Sequence, residues 1–192
     1  MSEILLLDNF DSFVYNLVDQ LKTSFHKVIV YRNNISISKI NKKILNMKNP
    51  ILMLSPGPGN PLNSGNMMKI LYLFKGKIPI IGICLGYQAI IQSYGGKIYQ
   101  LKKMIHGKSS IIYHDQKYMF KKIKNPLSVA RYHSLTCKNI PKKLKINSKI
   151  KKLAMSVRDN KNRICGFQFH PESILTTHGK KILDNTILWA NN

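Results

Sequence analysis

Cys84 lies between Gly82 and Gly86 in the run Ile78-Pro-Ile-Ile-Gly-Ile-Cys-Leu-Gly-Tyr-Gln-Ala-Ile-Ile91. The apolar, β-branched residues before it read as a buried strand, and the residues from Gln88 onward continue in a helical pattern. A glycine two residues before and another two residues after the cysteine let the chain double back sharply. They lift the side chain between them out of the sheet, as in the cysteine form of the G-x-S-x-G nucleophile elbow. At a helix N-terminus, free N–H groups and the helix dipole favour an anion, which suits a thiolate attacking an electrophilic carbon. The same residues also suit a buried, inert cysteine in a βα turn, and Cys84 alone does not separate the two.

Two further stretches carry residue types that a thiol chemistry needs. In Gly166-Phe-Gln-Phe-His-Pro-Glu-Ser173, His170 ends an alternating segment and Glu172 follows two residues later. A carboxylate accepting from one imidazole nitrogen fixes the tautomer and leaves the other nitrogen for a proton. The other histidines (His26, His106, His114, His133 and His178) have no carboxylate so placed in sequence. Ser55-Pro-Gly-Pro-Gly-Asn-Pro61 is rigid at its prolines and permissive at its glycines, so it can present a preorganised main-chain N–H to an oxyanion. Taken singly, the His–Glu pair also fits a structural contact, and the loop also fits a tight turn.

These residues must be positioned by a scaffold, and the chain supplies one in order. Strand patterns at Ile4–Leu7, Lys27–Tyr31, Pro50–Leu54 and Ile78–Ile83 alternate with helical patterns. The helices are marked by Phe13, Leu17 and Leu21, by Ile37, Ile40 and Ile44, and by Met67 to Phe74. That rhythm predicts an α/β fold with a doubly wound, mostly parallel open sheet and helices on both faces. Ligands in such sheets sit beyond the carboxyl ends of the strands, where Asp8–Ser12, Ser55–Pro61 and Cys84 fall. After Gly95-Gly96, shorter alternating segments (Ser109–His114, Leu127–Tyr132, Leu153–Arg158 and Arg163–Phe169) suggest an antiparallel extension. His178–Trp189 reads as a closing helix. No linker or repeat divides the chain, which predicts a single domain over residues 1–192.

Composition sets the outer bounds. The 192 residues are 44% hydrophobic, enough for a full core, and no long apolar run predicts a membrane span. The start Met1-Ser-Glu-Ile lacks the basic residues of a signal peptide. Three cysteines (Cys84, Cys137 and Cys165) without metal-ligand spacing point to free thiols in a reducing cytoplasm, and no metal or cofactor is expected. The formal net charge of +23 invites a nucleic-acid reading. Against that reading, the excess is almost all Lys, and the densest run, Lys138–Lys152, has no aromatic side chains for base stacking. The charge is read as a solvated surface reflecting A/T-rich codons.

Taken together, Ser55–Gly59, Gly82–Gln88, Met104-Ile-His-Gly-Lys108, Arg131-Tyr-His-Ser-Leu135 and Gly166–Ile174 resemble the motifs of the Cys-His-Glu glutamine amidotransferases, end to end and in order. Within that family the chain is most similar to the anthranilate synthase component II branch, which Leu5–Phe13 also fits. The resemblance implies a flavodoxin-like fold and Cys84, His170 and Glu172 as catalytic residues. It places L-glutamine and its oxyanion against Gly57, Pro58, Gly59, Leu85, Gln88, Ser134 and Leu135, and gives His133 a structural role. It implies a separate chorismate-binding component I subunit that receives ammonia and makes anthranilate for tryptophan, with no nucleic acid and no membrane involved. The branch serving aminodeoxychorismate synthase in folate synthesis carries the same triad, so only the partner or product separates the two, and one subunit can serve both. One departure is Tyr87, where the family often has His; the position carries no assigned chemistry, and no loss of activity is expected.

Overall fold

In the computed structural model, residues 2–100 and 107–192 are described. The first half alternates β1 (Glu3–Asp8), α1 (Val14–Thr23), β2 (Lys27–Arg32), α2 (Ile37–Leu45), β3 (Pro50–Leu54), α3 (Met67–Phe74), β4 (Ile80–Ile83) and α4 (Leu85–Ser93). The second half runs through β5 (Lys97–Gln100), β6 (Lys108–His114), β7 (Leu127–Arg131), β8 (Leu135–Lys138), β9 (Lys145–Ile150), β10 (Leu153–Asp159) and β11 (Ile164–Phe167) before closing with α5 (Gly179–Asn191). Nine strands form one sheet in the order β2-β1-β3-β4-β11-β10-β9-β6-β7, while β5 and β8 pair separately. Pairing is parallel from β2 through β1, β3 and β4 to β11. It is antiparallel from β11 outward to β7.

Apart from the edge strand β2, the strands of the parallel half are apolar on both faces because helices cover both. In β1, Ile4 and Leu6 join a cluster with α1 (Val14, Leu17, Leu21) and α5 (Ile182, Leu183, Ile187). Their neighbours Leu5 and Leu7 join the opposite cluster, with Ile40 and Ile44 of α2, Ile70 and Leu71 of α3, and Ile90 and Ile91 of α4. The period-2 alternation of the strand therefore divides one hydrophobic run between two cores. Helix α4 is buried at every residue from Leu85 to Ile91. The β5–β8 ribbon closes its outer side with Ile98, Cys137 and nearby Leu144, so this helix shows little amphipathic pattern.

Three strands differ from the sequence reading. Neither β5 nor β8 is expected from the sequence, because each is four residues long and rests on α4 through a few side chains. The run Lys138–Lys152, read as solvated surface, contains β9. There the lysines point outward, but Asn147 and Ser148 are buried and linked to Ser156 of β10, with Ser156 Oγ donating to Asn147 Oδ1 at 2.7 Å. Among the described residues, no helix is long and apolar enough to cross a membrane.

Candidate active site

The turn from β4 into α4 forms the elbow. Cys84 stands at the N-cap of α4 with φ 50° and ψ −96°, a conformation that costs a non-glycine residue about 1–3 kcal/mol and persists only where the surroundings enforce it. Gly82 makes the turn possible, since a Cβ there would run into the Gly86 carbonyl. Leu85 opens the first turn of α4, whose leading N–H groups have no partner within the helix. The Cys84 amide itself donates to Phe167 O at 2.7 Å, joining the elbow to the end of β11.

Just past β11 the chain turns through His170 and Glu172. The turn is pinned at several points: the His170 amide donates to Ala130 O at 3.1 Å, and Thr176 Oγ1 donates to the His170 carbonyl at 2.5 Å. His170 Nδ1 donates to Glu172 Oε1 at 2.7 Å, and both side chains are essentially closed to solvent. Phe13 and Tyr132 meet the imidazole edge-on, with centroids 5.6 and 5.1 Å away. Burial alone would lower the proton affinity of His170. The Glu172 charge, the Cys84 charge nearby and the hydrogen bond to Glu172 outweigh it and hold His170 well above the usual histidine range. The remaining ring nitrogen, Nε2, is buried and makes no hydrogen bond, which leaves it free to take the Cys84 proton.

A cavity of about 120 Å³ opens over the sulfur, lined by Gly57, Pro58, Gly59, Cys84, Gln88, Tyr132, His133, Ser134 and Leu135. The Gly57 loop is held by a buried polar network. Asn9 N donates to Ser55 Oγ at 2.8 Å, Asn9 Nδ2 to Ser55 O at 3.0 Å, and Asn33 Nδ2 to Asn9 Oδ1 at 3.0 Å. A Cβ on Gly57 would lie 2.6 Å from Asn9 Cβ and 2.8 Å from Leu85 Cδ2, so the loop packs directly on the elbow helix. On the opposite wall, His133 Nδ1 donates to Leu135 O at 2.7 Å and its Nε2 accepts from Arg131 Nε at 3.0 Å. Burial and the Arg131 charge push His133 down to about 4, so it is a neutral strut.

Of the sequence candidates, the structure gathers Cys84, Gly57, Pro58, Gly59, Gln88, Ser134 and Leu135 around this one cavity. His170 and Glu172 join the site through Cys84 rather than through the lining, and Leu85 contributes its backbone and packs beneath Gly57. Of Met104–Lys108, residues 104–106 lie outside the described residues. The other two cysteines are poor rivals for the nucleophile: burial, with Cys84 nearby, pushes Cys137 up to about 12, and burial raises Cys165 further. Asn9, Tyr132 and Gln168 carry no functional reading from sequence. For Gln168 the available signal is a polar residue inside an otherwise buried G-F-Q-F run. Tyr87 is fully buried and its hydroxyl donates to Ala154 O at 2.9 Å, pointing into the sheet packing rather than the cavity.

A small cavity over a strained cysteine, with an oriented imidazole behind it, is equipped for attack on a compact carbonyl or carboxamide. Comparison with known proteins agrees in fold and in kind. The family model described as glutamine amidotransferase class-I matches residues 5–189. The chain is 55% identical over 191 residues to anthranilate synthase component 2 of Buchnera aphidicola subsp. Acyrthosiphon pisum, covering 100% of this chain and 96% of the relative. It is 47% identical over 192 residues to that of Haemophilus influenzae, covering all of both. A solved Thermoplasma acidophilum protein assigned to GMP synthase superposes with TM-score 0.86 at 21% identity over 99% of this chain and 94% of that one, a likeness of fold.

Proposed function

Because the chain belongs to the class-I glutamine amidotransferase family, we propose that it hydrolyses glutamine as the ammonia-supplying subunit of an anthranilate synthase, with Cys84 as nucleophile. The observation that carries the site assignment is His170, tied through Nδ1 to Glu172 while its free nitrogen is left to the Cys84 sulfur. The near-full-length identity to anthranilate synthase component 2 proteins supports the pathway.

The mechanism follows from the groups present. His170 Nε2 takes the Cys84 proton, and the sulfur attacks the side-chain carboxamide carbon. The N–H groups of Leu85 and of the Gly57 loop receive the developing oxyanion. His170 then delivers its proton to the departing nitrogen, the C–N bond breaks and ammonia leaves. Water, deprotonated by His170, cleaves the γ-glutamyl thioester to glutamate and restores the thiol. Gln88 and the Ser134–Leu135 backbone hold the amino and carboxylate ends of glutamine.

Ammonia then passes to a chorismate-binding component I subunit docked over the Cys84 face. Three free thiols support placement in the cytoplasm. The test is reconstitution with that subunit: glutamine and chorismate give anthranilate, and Cys84→Ser abolishes the glutamine-driven reaction while ammonia still supports it. Failure of glutamine where ammonia succeeds contradicts the proposal, and formation of aminodeoxychorismate instead reassigns the partner.

A further inference from the structure

One buried polar group at the end of β11 is unused by this mechanism. Gln168 is completely buried, and its Nε2 donates toward Cys84 Sγ at 3.7 Å. The register explains the placement: β11 runs parallel to β4 with Phe167 beside Ile83, so the next residues, Gln168 and Cys84, stand side by side. Alternation sends Phe167 and Phe169 into one core and Gln168 to the α4 side. There Gln168 Oε1 accepts from Gln88 Nε2 at 3.3 Å, and the Gln168 amide donates to Met155 O at 2.8 Å. With its oxygen committed to Gln88, the side chain has only its NH₂ to offer the sulfur.

We infer that Gln168 is a second donor to the nucleophile, a fixed amide N–H that stabilises the Cys84 thiolate and aims the sulfur into the cavity while His170 carries the proton. This rests on Cys84 being the nucleophile, as proposed above. An N–H bound to a charged sulfur is stronger than one bound to a neutral thiol, so the contact favours the thiolate selectively. A neutral amide has no proton to exchange, which leaves His170 as the one destination for the thiol proton. The titratable groups facing the sulfur are His170, with Glu172 behind it, and Cys137 from β8, while His133 acts on His170. Gln88 Nε2 also approaches Leu135 O at 3.5 Å, so the amide chain reaches from the cavity wall to the sulfur.

The test is the pH dependence of iodoacetamide alkylation in the full chain, with the modified thiol mapped by mass, for wild type, Gln168→Met and Gln168→Glu. Loss of one donor to a charged group moves the Cys84 alkylation midpoint of Gln168→Met up by about one pH unit. The carboxylate of Gln168→Glu, facing the sulfur, moves it further. At neutral pH the glutaminase kcat of Gln168→Met falls about tenfold. An unchanged midpoint in folded Gln168→Met overturns the inference. If that variant loses its native circular dichroism, the isosteric Gln168→Glu decides alone. Wild-type alkylation at Cys137 or Cys165 instead overturns the Cys84 assignment and this inference with it; labelling at Cys84 with unmoved midpoints overturns the inference alone.

Discussion

The amide of Cys84 donates to the carbonyl of Phe167 at 2.7 Å, and this bond ties the elbow to the strand end that leads, three residues later, into His170. Residues more than 80 positions apart in sequence thus become neighbours through one register, Gly166 beside Gly82 and Phe167 beside Ile83. The proposed chemistry depends on that pairing more than on any single side chain, because it sets where sulfur and imidazole stand.

Glu172→Gln keeps the shape of the carboxylate and removes its charge. Tautomer and orientation of His170 are then no longer enforced, and kcat for glutamine hydrolysis falls by about 10³–10⁴-fold. Without the carboxylate to oppose it, burial lowers the proton affinity of His170. The basic limb of the kcat–pH profile therefore moves to lower pH, and a limb that stays in place contradicts the pairing.

Gly57→Ala tests the oxyanion loop. Its Cβ would press on Asn9 Cβ at 2.6 Å and Leu85 Cδ2 at 2.8 Å, so the loop must withdraw from the elbow. Losing one donor to the oxyanion lowers kcat by about 10²–10³-fold with a smaller change in KM. Steady-state kinetics with glutamine read this directly.

His133 makes stability depend on pH. Its folded value of about 4 lies below the 6.5 of the free side chain, because burial and Arg131 oppose its charge. The stabilisation of the neutral form is complete above pH 6.5 and is lost as pH falls toward 4, in total about 3 kcal/mol. His133→Gln can keep both hydrogen bonds without titrating. Chemical denaturation at pH 7 and pH 4.5 therefore shows a smaller acid-induced loss in the variant than in wild type; equal losses contradict the neutral strut.

Tyr87→Phe strands the buried Ala154 carbonyl that accepts from the hydroxyl at 2.9 Å. Unfolding free energy drops by about 1–3 kcal/mol while glutaminase kcat is unchanged. A loss of kcat at full stability would place Tyr87 in the chemistry instead.

Much of the parallel half of the fold was legible because strands such as Ile4–Leu7 are buried on both faces and helices such as α1, with its Leu17 and Leu21 spacing, are apolar on one, so both carry their structure locally. Strands β5 and β8 were not, since Lys97–Gln100 and Leu135–Lys138 pair only with each other, far apart in sequence; β9 was hidden because its Lys-rich composition masks a hairpin with the adjacent β10. The site was legible as a set of residue types. Glu172 stands out further as one of only eight acidic residues in a chain carrying 31 Lys and Arg, and it is spent against a histidine in the interior. The contact of Gln168 with Cys84 could not be read from sequence, because it exists only through the pairing of β4 with β11.

The most direct measurement is covalent capture by a glutamine analogue bearing an electrophilic carbon in place of the amide, followed by mass mapping of the modified thiol. The account predicts one adduct per chain, on Cys84, formed more slowly when glutamine is present and abolished in His170→Ala. An adduct on Cys137 or Cys165, or one that glutamine does not slow, contradicts it.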